Sequence, residues 1–473
     1  MPAVASFNHR YSATLSRLAK MEYVKLLLLH LGIAIAIYLF KGASFFYFLG
    51  VFGYFLFITL QNRNRNNEAL MAAAYIAGVE VFWRQTEALF FYETGKYAVI
   101  LFLLIGMFFK GTSSKTVPFW TYLLILIPGI VVASITMSYE AEFRKSIAFN
   151  LAGPVCLGVS ALYCYYKKIQ KKDFEKVILM LLLPLLSQMF YLYLYTPTLH
   201  EGIVSLSGNY AATGGYGPNQ ISTVFGFGTF LLVTRIFTLK SKTINLLDTI
   251  LLLMIGYRAL VTFSRGGVFT ALVCVLAFIL LFYYKQSSRE KGKIRFKTIL
   301  LGLSFLAIWF ITSTQTFGLL ENRYEGRDAA GNLKEDITTG RVELVKTELY
   351  GFYKNPVTGI GVGKGIEFRE ENLGVEIATH NEISRLLSEH GLLGVVAILI
   401  LIFVPIIFWT KFRNNYYFLA FLAFWFLTIN HSAMRIALPA FVYGLALLYI
   451  VEDKKRPGKI KSIEAKTAGT VIE

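Results

Sequence analysis

Thr339-Gly340-Arg341, then Asn355-Pro356-Val357-Thr358-Gly359-Ile360-Gly361-Val362-Gly363, then Thr379-His380-Asn381-Glu382 stand in order inside one polar segment that runs from about 316 to 392. This segment mixes arginine, lysine, glutamate and glycine too densely to cross a bilayer. On both sides of it the chain is apolar: 55% of the 473 residues are hydrophobic, 16% are charged, and the mean hydropathy is +0.55. A soluble protein of this length needs far more surface charge. The polar segment is therefore the exception in a membrane protein, and it is where polar chemistry is expected.

Outward from it, apolar runs of about 16–20 residues recur, separated by short basic loops, which is the pattern of a polytopic helical membrane protein. A β-barrel would need alternating strands of about ten residues, and none are evident. The reading is an all-α chain of about 14 transmembrane helices. It divides into a transmembrane bundle over 1–315 (about 11 spans), a large outer loop with active-site helices over 316–391, C-terminal spans over 392–451 and a basic tail over 452–473. The first apolar run begins near Tyr23 and ends without a small-residue cleavage site, so it reads as a span rather than a signal peptide.

With the amino terminus inside, the loops at 61–67, 110–117, 167–176, 239–246, 285–297 and 411–415 and the tail all fall inside, and these are the loops dominated by lysine and arginine. The loops at 85–96, 139–150, 196–220, 264–267, 316–391 and 431–434 fall outside. The expectation is a bacterial cytoplasmic membrane protein with both termini cytoplasmic and the polar segment facing out. The net charge of +18 is then a matter of topology and of contact with anionic membrane lipids, not of nucleic acid. Cys156, Cys164 and Cys274 lie in apolar runs and read as packing residues, and no metal-ligand spacing exists, so neither a metal nor a cofactor is expected.

Within this frame a few polar residues stand out. Arg265 lies in the abrupt turn Ser264-Arg265-Gly266-Gly267 between two spans, on the side where the basic-inside rule does not place an anchor. Gly266 and Gly267 would leave N–H groups bare beside its guanidinium, a receptor for a lipid diphosphate. Arg258, two turns deeper, is either a buried structural pair or part of the same site. Thr338 or Thr339 can cap a helix running to about Lys354, with Arg341 in its first turn and Val342, Val345, Leu349 and Phe352 along its apolar face. A cation in a first turn opposes the helix dipole unless both aim at an anion.

The glycine stretch 359–365 lacks the strand and helix context of a nucleotide loop and reads as a tight turn. Thr379 and Glu382 have the form of a capping box, which places His380 in a first turn where the dipole favours the neutral imidazole, a base for a sugar hydroxyl. Asn381 and Glu389 are possible supporting residues; Asn219, with the glycine loop 214–217, is a candidate for the acceptor path. His390 and His431 are weaker candidates.

The order Ser264-Arg265-Gly266-Gly267, Thr339-Gly340-Arg341, Gly359-x-Gly361-x-Gly363 and His380-Asn381-x-x-x-x-Leu386-Leu387-x-Glu389-x-Gly391 resembles the O-antigen ligase and O-antigen polymerase superfamily, over nearly the whole chain. One departure is that the family often has tryptophan soon after Thr-Gly-Arg, whereas here Val342-Glu343-Leu344-Val345 follows. The resemblance implies a GT-C-type glycosyltransferase, metal-independent, using undecaprenyl diphosphate-linked glycan donors. It implies diphosphate-binding roles for Arg265 and Arg341 and a catalytic role for His380. The acceptor would be a second lipid-linked repeat unit, making the protein a polymerase; the alternative is a ligase that moves the glycan to lipid A–core or another acceptor. A chain-length regulator is a possible protein partner. A polysaccharide or lipid flippase is the rival from another class, but flippases gather polar residues at the midplane.

Overall fold

The computed structural model describes residues 2–138, 142–196, 209–328, 330–334 and 340–452, with side chains described from Lys20 onward. The expected caps Thr338 and Thr339, Glu140 and the basic tail from Lys454 lie outside these residues. The chain is almost wholly helical. Among the described residues, ten helices are long and apolar enough to cross a membrane. The remaining expected spans do form helices, at Glu68–Gln85, Thr94–Lys110, Phe418–Ser432 and Ala437–Ala446. Three of these are shorter, and the first carries Glu68, Glu80 and Arg84, so the structure supports an all-α polytopic membrane protein without fixing the number at 14.

Burial sorts the spans. In the helix Pro218–Thr238, 89% of the apolar window is buried inside the protein, against 17% in Ser288–Gln315 and 22% in Ala43–Gln61. The peripheral helices expose Leu303, Leu306, Phe310, Tyr54 and Phe57, the surface that lipid would cover. The central helix achieves its burial with small residues. A Cβ on Gly226 would lie 2.5 Å from the Gly267 carbonyl oxygen, and one on Gly267 would lie 2.3 Å from the Ser222 carbonyl carbon. The backbones of Pro218–Thr238 and Arg265–Tyr284 therefore touch, as small residues allow between membrane helices. The hydroxyls of Thr229 and Thr234 satisfy themselves on the carbonyls of Phe225 and Leu231.

The one sheet among the described residues is minimal: Lys168–Gln170 pairs in parallel with Tyr449–Val451, Ile169 opposite Ile450. It ties the loop after the Phe143–Cys164 helix to the end of the last one, at the face of the bundle that carries the basic loops.

Among the described residues, the segment 316–391 forms four short helices, Leu319–Tyr324, Arg341–Lys354, Gly365–Leu373 and Glu382–His390. The core of the last three is polar. Arg369 pairs with Glu348 at 2.7 Å; Arg385 donates to both Glu382 and Glu389; all five are at most 3% exposed. Burial raises the carboxyl pKa of Glu348 and Glu389 even against these partners. This core corrects one expectation. The Arg341–Lys354 helix buries Leu344, Thr347, Glu348 and Gly351, not the stripe of Val342, Val345, Leu349 and Phe352. Val342 and Leu349 are 47% and 42% exposed. Apolar periodicity misplaces the buried face because that face is held by an ion pair and small residues.

Candidate active site

Three helices begin at one place. The helix Pro218–Thr238 opens with Asn219 in its first turn, Arg265–Tyr284 opens on Arg265 after Ser264, and Arg341–Lys354 opens on Arg341 after Gly340, whose φ of 77° only glycine adopts without strain. The first two are stitched together: Ser264 Oγ donates to Asn219 Oδ1 at 2.7 Å, and Ser222 Oγ donates to the Ser264 carbonyl at 2.9 Å. Between the three ends lies a cleft of about 530 Å³. Four cations line it, Arg265, Arg323, Arg341 and Lys346, together with Asn219, Ser264, His431 and the apolar Val342 and Val345. Helix amino termini carry positive partial charge and unsatisfied N–H groups, so cations placed there stack positive on positive. Such an arrangement is unfavourable alone and favourable around an anion.

The arginines act on one another. Burial lowers the Arg341 pKa, and Arg265 and Arg435 lower it further; burial lowers that of Arg323, with Arg265 and Arg341 adding to it. A guanidinium stays protonated through such shifts, so the direction measures local positive potential. Arg323 was not singled out by the sequence. It sits in the six-residue helix after a span end, where an arginine reads as an anchor. Its Nε donates at 3.0 Å to the carbonyl of Phe263, itself held at φ 54° in the turn before Arg265.

His380 stands next to this cleft rather than on its wall. The helix begins at Glu382, and its cap is Asn381, whose side chain accepts from the N–H groups of Ile383 and Ser384 at 2.9 and 3.1 Å. Thr379 is therefore not the cap, Glu382 pairs with Arg385 instead of closing a capping box, and His380 precedes the helix. The dipole argument for its neutrality is replaced by another: burial, then Arg435, then Arg341 lower its pKa to about 4. Its Nδ1 is buried without a hydrogen-bond partner. Its backbone carbonyl accepts from Ala433 N at 3.1 Å, and Arg435 donates to the carbonyl of Thr379 at 2.7 Å. The loop after Phe418–Ser432 thus holds His380 in place. Arg435 is the residue of this group with the weakest sequence signal, an isolated arginine between two apolar helices.

His431 lies on the cleft wall. Its Nδ1 is 2.8 Å from the Leu427 carbonyl, which can only accept, so Nδ1 carries the proton and Nε2 presents a lone pair, 3.3 Å from Thr223 Oγ1. A Cβ on Gly266 would come within 2.5 Å of the His431 ring. The structure thus gives Gly266 and Gly267 a packing role, room for an imidazole and for the neighbouring backbone.

The other candidates stay outside the cleft. Arg258 donates to the carbonyls of Leu192 and Thr196 and to Thr196 Oγ1 at 2.8–3.0 Å, and lies 4.2 Å over the Tyr193 ring, closing the end of the Lys171–Tyr195 helix. Glu389 accepts from Gly363 N at 2.9 Å besides pairing with Arg385. The glycine turn has φ of 70°, 96° and 86° at Gly359, Gly361 and Gly363, and packs by backbone against Glu389, Ala133 and Ser146. It is a joint between elements. Gly214 and Gly215 also have positive φ, in a turn whose Thr213 carbonyl accepts from Gln85. His390 caps nothing: it is 1% exposed, both ring nitrogens lack partners, and burial followed by Arg385 lowers its pKa to about 3.

A second, apolar groove of about 820 Å³ runs between Pro218–Thr238, Lys242–Val261, Arg265–Tyr284 and Ser288–Gln315, lined by Ala259, Phe269, Leu272, Phe305, Leu306 and Trp309 among others. It shares Arg265 and Gly266 with the cationic cleft. One continuous surface therefore joins an apolar groove suited to a lipid chain to a cationic cleft suited to a polyanion. Among the described residues no group of three or more His, Cys, Asp or Glu could hold a metal ion.

Residues 250–399 match a family model whose description is O-antigen ligase. That window includes Arg265, Arg323, Arg341 and His380 and ends before His431 and Arg435. No curated protein and no solved structure matches the chain.

Proposed function

We propose that this chain, whose residues 250–399 match the O-antigen ligase family model, transfers glycan from an undecaprenyl diphosphate-linked donor at the outer face of the cytoplasmic membrane. The observation that carries this reading is the pair of helices, each opened by an arginine, that meet in one cleft continuous with an apolar groove.

In this reading the prenyl chain lies in the groove and the diphosphate sits among Arg265, Arg341 and Arg323. Their charge stabilises the diphosphate as it leaves. An acceptor hydroxyl attacks the anomeric carbon from the face opposite the diphosphate. The bond from that carbon to the diphosphate oxygen breaks as the new glycosidic bond forms, so configuration inverts. His380, neutral at physiological pH, takes the hydroxyl proton. His431, whose Nε2 lone pair lies on the cleft wall, is the second candidate for that proton. Asn219 contributes a polar contact at the cleft wall.

The acceptor we favour is a second lipid-linked repeat unit, which makes a polymer. The family description favours the second reading, ligation to a lipid A–core or other acceptor. Purified protein given only the lipid-linked repeat unit decides between them: chain growth is the expected result, and single transfer that waits for a separate acceptor assigns the ligase. No transfer with either acceptor overturns the enzyme reading.

A further inference from the structure

At the other end of the Thr94–Lys110 helix from the cleft lies a pocket of about 600 Å³, lined by Arg63, Arg65, Phe108, Phe109 and Lys110. The two ends can be told apart by contacts. Beside Thr94, Arg84 donates to the carbonyl of Arg435, the residue that supports the His380 segment. At Lys110 the neighbours are the loop 62–67 and Tyr163, close to the basic-loop face marked by the Lys168–Gln170 strand. A helix of 17 residues separates the ends by about 25 Å.

The loop 62–67 is built to a fixed shape. Arg63, Asn64 and Asn67 have φ of 50°, 53° and 63°, a conformation costly for arginine. Asn64 is wholly buried and holds the loop there: its Nδ2 donates to the Gly106 carbonyl and to Tyr163 Oη at 3.3 and 3.2 Å, and its Oδ1 accepts from Ala69 N at 3.0 Å. Lys110 Nζ donates to the Arg65 carbonyl at 2.9 Å, which brings the third cation to the other two. The nearby carboxylate is turned away: both oxygens of Glu68 accept from Asn66. Among the described residues no carboxylate pairs with Arg63, Arg65 or Lys110. Lys167, stacked on the Tyr163 ring at 3.5 Å, has its pKa pulled down to about 8 by burial, with Lys110 contributing.

Below these charges the surface is apolar and open. Leu101, Leu104 and Phe108 form one exposed row on the helix, Phe108 being 84% exposed, and Phe57 and Leu60 continue it on the neighbouring Ala43–Gln61 helix. Three clustered cations at a helix end above two apolar rows match one class of molecule: a phosphate head with acyl chains beneath it.

We propose that Arg63, Arg65 and Lys110 form a binding site for the head group of an anionic phospholipid, with its acyl chains along Leu101, Leu104 and Phe108. The loop shape held by Asn64 keeps Arg63 and Arg65 beside Lys110 on one pocket wall, so the three act together as a cluster of positive charge. The site does not depend on the glycan-transfer reading; it needs only that these helices span a bilayer.

The test uses full-length protein in neutral detergent, with retained lipid read by native mass spectrometry. Phosphatidylglycerol should be retained and phosphatidylcholine should not. The triple variant Arg63→Gln, Arg65→Gln, Lys110→Gln should weaken retention roughly 100-fold, since each interfacial cation contributes about a factor of five. The double variant Arg63→Lys, Arg65→Lys should keep most of it. A photoreactive phosphatidylglycerol should label the 101–110 stretch of the unaltered protein, a readout independent of whether the triple variant folds. Full retention by a folded triple variant, equal retention of phosphatidylcholine, displacement by millimolar inorganic phosphate, or labelling confined to other helices would each overturn the proposal.

Discussion

Two arginine-rich regions sit side by side around the polar segment 316–391, and they are built on opposite principles. In the network behind the cleft, Arg369 meets Glu348 and Arg385 meets Glu382 and Glu389, all of them buried. Those carboxylates hold the Arg385 pKa above its ordinary value against the pull of burial. In the cleft, Arg341 and Arg323 are lowered by burial and then by neighbouring arginines. The first region uses charge to hold three short helices together where apolar surface is scarce. The second gathers charge around two helix starts, where Arg265 and Arg341 oppose the dipoles. Burial alone does not distinguish the two; the sign of the neighbours does.

The sharpest way to break that comparison is to remove one member on each side. On the cleft side, His380→Ala should cut transfer by about 10²–10⁴-fold while binding of the lipid-linked donor persists. His431→Gln should cost less than about tenfold, within the range of a lost positioning contact. If the two effects come out reversed, His431 is the base. On the network side, Arg385→Ala should destabilise the protein by about 3–5 kcal/mol, because it strands two buried carboxylates. Thermal unfolding in detergent would register this as a lowered midpoint with normal turnover per folded molecule at low temperature. An unchanged midpoint would show that the network is not what holds the polar segment.

A smaller effect separates fork from charge. Arg265→Lys keeps the cation and loses the bidentate geometry, so kcat/KM should fall about 10–100-fold, whereas the same exchange at Lys346 in reverse, Lys346→Arg, should be nearly neutral. Equal turnover for Arg265→Lys would reduce Arg265 to an anchor.

The smallest expected change is a pH shift. With its folded pKa near 4 and an ordinary value of 6.5, His380 binds its proton more readily in the unfolded chain between those limits. Its contribution to stability is therefore complete above about pH 6.5 and is lost as pH falls toward 4. In activity the acidic limb of kcat/KM should lie below 6.5. Arg435→Gln removes the largest cationic contribution and should move that limb upward; a limb that stays put would detach Arg435 from His380.

The path from residues to site was legible in part. The apolar runs locate every long helix, because length and hydropathy are local properties. Arg265 and Arg341 stand out because each begins a helix with the sign the dipole disfavours. Arg323 and Arg435 carry no such local mark, and His431 is marked only as a histidine at the end of an apolar helix. Only the meeting of separate parts of the chain puts them near His380. The start of the Glu382–His390 helix differs from the sequence expectation for a related reason: Thr379 and Asn381 are both good caps, and the choice falls to Asn381 because Arg385 takes Glu382.

Taken by itself, the sequence determined that this is a many-helix membrane protein with one polar segment, since the cost of leaving charge in lipid is decided residue by residue. The tertiary structure alone decided which cations share a cleft, which glycines serve packing and which helix face is buried. Those outcomes depend on backbones approaching within a few ångströms from distant parts of the chain, and no window along the sequence contains both partners.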